Sequence, residues 1–164
     1  MLRALLSTGW LLIFGSMALA GPKVSFQDFP AGDVVSVSYS SSGCFSQSRF
    51  SFEFRRGDLV SAEVFRLEPQ RDPAKDIELE PKRVSLGTVA LTAAEVAGLD
   101  RLLAFYRANP KGNCTTVDTL VIIQRNGEAI QGSETFIDAT CGAGQAPDVT
   151  PFPALVAKLA AKAE

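Results

Sequence analysis

The chain has 164 residues with a formal charge of −2, and the charge becomes −3 once a leading segment containing Arg3 is set aside. There is no basic excess to neutralise phosphates, which excludes nucleic acid as an expected partner. Apolar residues make up 46% and charged residues 21%, ordinary values for a chain that buries one core. Histidine is absent, which removes Ser-His-Asp and Cys-His catalysis, His-ligated zinc and a histidine pH switch together.

Residues 1–20 read as a secretory signal peptide. Arg3 supplies a short positive start, Trp10-Leu11-Leu12-Ile13-Phe14 an apolar centre, and Ala18-Leu19-Ala20 a small-x-small cleavage site. The expected mature chain begins at Gly21, lacks both methionines and the only tryptophan, and resides in the periplasm or outside the cell. An uncleaved membrane anchor is the bland alternative, and the uncharged run is short for one. After cleavage no membrane attachment is expected. Residues 21–33, with Pro22, Gly21, Pro30 and Gly32, read as an extended lead-in to a single domain over 34–164.

Val35, Val37 and Tyr39 alternate with serines, and Phe50, Phe52 and Phe54 alternate with polar residues. This period of two marks half-buried strands. The phenylalanine stripe reads as sheet core rather than as a ligand surface. Arg56-Gly57-Asp58 makes a turn, and Leu59 to Leu67 returns as a hairpin partner. The same three residues spell an adhesion tripeptide, but a plain turn explains them.

Residues 68–83 hold Pro69, Pro73 and Pro81 among many charges and read as a surface loop, with room for a short edge strand at Ile77 and Leu79. Val84 to Leu91 reads as a further strand. Glu78 and Glu80 would share a strand face, and a solvated edge explains them better than an acid–base pair.

Thr92 and Glu95 form a capping box. Val96, Leu99, Leu103 and Tyr106 share a face of the helix that follows, with Leu102 beside them. Asn109-Pro110 ends it. Val117–Arg125 and Glu128–Asp138 read as strands about a two-residue Asn126-Gly127 turn, with a bulge expected at Gly132. Thr150 and Pro151 read as cap and first turn of a last helix, whose face is Phe152, Leu155, Val156 and Leu159. The expected fold is α+β: an antiparallel sheet of four to six strands with two amphipathic helices packed on one face, without internal repeats.

Three cysteines in an exported chain leave at least one unpaired within a monomer. A turn at Asn126-Gly127 sets residue 114 opposite residue 139, close to Cys141, so Cys114 and Cys141 are the expected disulfide. Cys44 with either of the others is the competing pairing. Otherwise Cys44 is the candidate free or reactive thiol. Activating a thiolate needs a neighbouring base, cation or helix N-terminus, and its nearest basic neighbour in sequence is Arg49. A structural cysteine is therefore the favoured reading. No close cysteine pair suits zinc, and no glycine-rich phosphate loop, nucleophile elbow or calcium loop is present. No catalytic, metal-binding or cofactor-binding residue is assigned and no cofactor is expected.

The run from Val37-Ser38-Tyr39 through Ser42-Gly43-Cys44-Phe45 into the phenylalanine-rich hairpin resembles a family of small bacterial secreted domains of unknown function, which carry a Gly-Cys-Phe element before a first hairpin. The later helix, the strand with Asp118, the Asn-Gly hairpin and the terminal helix follow in similar order, so the resemblance spans about residues 34–163. The family often continues with Gly-x-Cys-Pro, whereas this chain has Ser46-Gln47-Ser48 and so lacks a second cysteine there. The resemblance implies fold and export, and no activity.

Read together, these features describe an exported, non-enzymatic domain that is structural or binds a ligand or another exported protein. A secreted inhibitor of a protease or other hydrolase is the runner-up, with 40–48, 68–83 or 142–149 as the inserting loop. An enzyme using carboxylates or Cys44 is the third reading.

Overall fold

The computed structural model describes residues 22–43, 47–142 and 148–161. The expected signal peptide, Cys44 and most of the loop 142–149 lie outside the described residues. Six antiparallel strands form one sheet: β1 (Val34–Ser42), β2 (Gln47–Arg56), β3 (Val60–Asp72), β4 (Ile77–Ala90), β5 (Val117–Asn126) and β6 (Ala129–Asp138). Their order is β4-β3-β2-β1-β5-β6. The helices are α1 (Ala93–Arg107), between β4 and β5, and α2 (Phe152–Ala160), after β6.

The alternating pattern sets the register. Val37 of β1 faces Phe52 on one side and Ile122 on the other, and Phe52 faces Val64. All four are buried, so one row of side chains crosses the sheet into the core. Phe152 of α2 lies on this face, 5.4 Å from Phe52, and Tyr106 of α1 stacks on Phe136 of β6 at 5.5 Å. The phenylalanine stripe is core, as its spacing predicts: Phe52 and Phe54 are fully buried and Phe50 packs beside them.

The capping box on α1 forms as expected. Thr92 N donates to Glu95 Oε2 (2.6 Å) and Glu95 N donates to Thr92 Oγ1 (3.2 Å). Lys158 Nζ reaches the same carboxylate at 2.7 Å and donates to the Ala90 carbonyl at 3.0 Å, which ties the last turn of α2 to the first of α1. Thr150 does not cap α2. Pro151 holds that position without a side-chain bond, and Thr150 instead packs against Gly98 of α1.

The lead-in is a strap anchored by buried side chains. Val24, Phe26 and Phe29 belong to the core, with Phe26 4.6 Å from Phe54. Side chains from distant elements hold its backbone. Asp100 accepts from Phe26 N (2.7 Å) and Gln27 N (2.9 Å), and Glu134 accepts from Val24 N (2.9 Å). At its far end, buried Asp33 accepts from Gln124 Nε2 and Asn126 Nδ2.

Residues 68–83 are not a surface loop. They belong to a long β3–β4 hairpin that turns at 73–76. Proline is tolerated because Pro69 sits at a ladder irregularity between Glu68 and Gln70 and Pro81 lies on the edge strand β4, where a missing N–H need not break a bond. Of the proposed inserting loops, 68–83 is thus largely strand, and in 40–48 the described residues 40–42 and 47–48 belong to β1 and β2.

Candidate functional site

The β3–β4 hairpin is irregular at Val64/Phe65 and at Glu68/Gln70, with Gly87 at φ 121° beside the first irregularity. Bulges bend and twist a strand. The consequence is visible in what lines the outer face. Glu80, Pro81 and Arg83 of β4 share a cleft of about 290 Å³ with Ser36 and Ser38 of β1, Ser51 and Glu53 of β2, and Ile123 and Arg125 of β5. In a flat sheet β4 and β5 would stand about 19 Å apart, four strand spacings. The hairpin therefore curls over the outer face and makes it concave.

Two further hollows continue this cleft. One of about 100 Å³ is lined by Ser38, Ser40, Arg49, Thr119 and Val121, and one of about 360 Å³ by Gln47, Arg49, Pro69 and Glu78. Leu67 lines all three. Together they form a trough with a hydroxyl-bearing floor and a wall made by the hairpin. Glu53 is fixed in it: Arg83 Nη2 donates to it at 2.7 Å and Arg55 Nη2 at 3.1 Å. Burial alone would raise the Glu53 carboxyl, but the two guanidinium groups outweigh it and hold it below its ordinary value. Arg83 in turn stacks on Phe65, 3.9 Å from the ring centre. The Ser51 hydroxyl oxygen is buried without a hydrogen-bond partner among the described residues. Glu78 and Glu80, read as an exposed pair, stand at different levels of the wall.

A second polar cluster lies at the other face, near the open end of the β5–β6 hairpin. Asp118 and Asp138 face each other across the ladder. Asp138 is 3% exposed and accepts from Thr140 N at 2.8 Å, while Asp118 Oδ1 is buried without a hydrogen-bond partner among the described residues. Burial pushes the Tyr39 phenol up to about 12. A Ser41 hydrogen bond opposes this and the charges of Asp118 and Asp138 add to it. Tyr106 is raised as well, by burial first and then by the charges of Asp138 and Asp118. Both phenols are thus held neutral, as weak donors beside carboxylates. Neither carboxylate lines the trough.

The expected Cys114–Cys141 disulfide is present, with Cα atoms 5.7 Å apart, although the turn differs from expectation. Asn126 pairs with Ala129, so the turn residues are Gly127 and Glu128, and a bulge at Gln131 shifts the register again before Gly132. Of these only Gly127 has positive φ, which suits a turn with glycine at its first central position. Cys114 N donates to the Ala139 carbonyl at 2.8 Å, which carries the two chains together to the bridge. The adhesion tripeptide is occupied structurally. Arg56 donates to the carbonyls of Phe29 (2.7 Å), Phe26 (3.0 Å) and Gln27 (2.5 Å) and lies over the Phe29 ring.

Among the described residues no cluster of three or more Cys, Asp or Glu is placed to hold a metal ion, and no helix is long and apolar enough to cross a membrane. The trough was not visible in the sequence, because it depends on a curl produced by bulges. The Asp118–Asp138 pair was missed because the expected register set Asp118 opposite Thr135. No protein-family model, curated protein or solved structure matches this chain.

Proposed function

We propose that the chain is an exported, non-enzymatic binding domain that docks an extended segment of another exported protein in the outer trough. In this reading residues 1–20 are a signal peptide removed after Ala20. Both helices cover the same face of the sheet, leaving the opposite face for the partner. The disulfide fits an oxidising compartment, and the resemblance to small secreted domains points the same way.

The observation that carries the reading is the set of three neighbouring hollows that share Leu67. Its floor runs along β1 from Ser36 to Ser40, about 13 Å at the rise of a strand, a length suited to a short extended stretch of chain. Serine and threonine hydroxyls can bond backbone amides and carbonyls of any sequence, while Leu67, Val121 and Ile123 give apolar contact. The tyrosine–aspartate cluster on the other face is read as structural: its phenols are neutral and Asp138 is committed to the Thr140 turn.

Capture from the native exported fraction on the immobilised mature chain tests this, run beside Ser38→Trp. Ser38 is exposed on the floor, so tryptophan fills the trough without entering the core. A defined partner retained by the native chain and lost from Ser38→Trp is expected. Equal capture by both would place the binding surface elsewhere.

A further inference from the structure

The arginines among the described residues fall into two sets. Arg55, Arg66, Arg71, Arg83 and Arg107 form ion pairs with carboxylates, and Arg56 and Arg101 donate to backbone carbonyls. Arg49 and Arg125 do neither: among the described residues their guanidinium groups have no hydrogen-bond or ion-pair partner. Both line the trough. Arg125 stands in the hollow that holds Ser36 and Ser38, and Arg49 lines both of the others. The ladder fixes their spacing. Arg125 of β5 is opposite Val34 of β1, and Arg49 of β2 is opposite Ser40. They stand six positions apart along β1, about 20 Å at the rise of a strand. A lone exposed arginine is ordinarily solvated. Here two unpaired ones bracket one concave surface, on a chain whose net charge is negative. Glu53 does not cancel them, because Arg55 and Arg83 already hold it.

We infer that the segment docked in the trough carries two acidic side chains six positions apart, one received by Arg125 and the other by Arg49, a reading that rests on the trough being the docking surface. In an extended segment side chains alternate between faces. An even spacing therefore turns both carboxylates to the floor, and an odd one turns one of them away. Each guanidinium presents a planar fork of donors that matches a carboxylate in two parallel bonds. Between the two ends β1 offers only the hydroxyls of Ser36, Ser38 and Ser40, so its floor selects charge at the ends and not along its length. Glu78 and Glu80 stand on the hairpin wall and repel a segment that is acidic throughout. Acidity is thus selected at two floor-facing positions rather than in bulk.

Fluorescence anisotropy of labelled synthetic peptides on the mature chain tests this. The probe is a serine–valine peptide with two glutamates six positions apart. One control carries lysines at those positions, and the other carries glutamates five apart. The native chain is expected to prefer the probe to each control by about tenfold or more, the scale of one charge-assisted bond. The double variant Arg49→Glu with Arg125→Glu is expected to reverse the preference toward the lysine peptide. Both side chains are exposed, so the double variant leaves the core as it is. No saturable binding of the probe, binding equal to either control, or a preference that the double variant does not reverse would overturn the inference. Capture from the native exported fraction separates this outcome from failure of the trough itself. A partner lost from Ser38→Trp but retained in full by the double variant would overturn the acidic pairing and leave the trough standing. Retention by both would remove the trough as well.

Discussion

The carbonyl oxygen of Pro22 lies 2.8 Å from the point that a Cβ on Gly132 would occupy. The strap thus crosses β6 where β6 has no side chain. Gly132 follows the bulge at Gln131, and close backbone approach of this kind is a recognised use of a strand glycine. The obstacle is main chain, so no side chain can rotate away from it.

Gly132→Ala is therefore expected to push the strap off β6 and to cost about 1–3 kcal/mol, the range for forced overpacking. Urea unfolding measures the loss. Hydrogen exchange should show faster exchange at Val24 and Phe26, with protection of β1 and β2 retained. Unchanged stability would mean that the strap does not bear on Gly132.

Arg107 and Glu134 clamp the same strap. Arg107 Nε donates to Glu134 Oε1 (2.8 Å), and its Nη2 donates to the Val24 carbonyl (2.6 Å), while Glu134 accepts from Val24 N. Burial alone would raise the Glu134 carboxyl, but Arg107 and the Val24 amide outweigh it and hold it below its ordinary value of 4.5. Glu53 and Glu95 are lowered as well, by Arg83 and Arg55 and by Lys158 and Thr92 respectively, against burial. A carboxyl whose folded value is depressed contributes stability in full above its unfolded value and loses it as pH falls through the folded value. Stability should therefore decline below about pH 4.5, the ordinary value. Glu134→Gln should cost about 1.5–3 kcal/mol at neutral pH, the range for bonds to a charged group. Its deficit relative to the native chain should shrink as pH falls below that value. A deficit constant down to strongly acid pH would show that Glu134 carries no such linkage.

The legible parts of this molecule were those set by local rules. Period-two alternation located β1 and β2, and Thr92 with Glu95 located the start of α1. The nearness of Cys114 to Cys141 followed from a hairpin even though its turn was displaced by one residue. What stayed hidden depends on contacts between distant segments. Val24, Phe26 and Phe29 show no clean period, because a strap is fixed by Asp100, Glu134 and Arg56 rather than by its own hydrogen-bonding pattern. The strands within 68–83 were masked by three prolines, each placed where the ladder tolerates it. The trough required knowing where β3 and β4 bulge, and the Asp118–Asp138 pair required the register beyond Gln131.

Arg56 illustrates how a motif can mislead. Its guanidinium is spent on three carbonyls of the strap and on the Phe29 ring, so it cannot also present itself to a receptor. Arg56→Lys should not rescue the loss seen in Arg56→Ala, because an ammonium lacks the planar fork that spans several acceptors. Both are expected to lower stability, by about 1–3 kcal/mol for carbonyls left without a partner. A lysine variant as stable as the native chain would show that the fork is not required.

The disulfide gives the last test, and its arithmetic involves all three cysteines. Cys114 and Cys141 are 27 residues apart in sequence, and closing a loop of that size constrains the unfolded chain by roughly 3–4 kcal/mol in the chain-entropy model. Replacing both by serine should lower the unfolding free energy by about that amount while leaving the sheet intact. The β5–β6 ladder is paired through its own backbone from Asp118 to Asn126, and Cys114 N bonds to Ala139. With this pair joined, Cys44 is the cysteine without an intrachain cysteine partner. Alkylation of the unfolded, unreduced protein should therefore label Cys44 alone, and peptide mapping should recover Cys114 and Cys141 as one linked species. The same map should begin at Gly21 if the leading segment is removed after Ala20, and intact mature protein should then show no tryptophan absorbance. Recovery of Cys44 linked to either other cysteine would mean that the chain closes a different loop, one that joins the end of β1 to the β5–β6 hairpin.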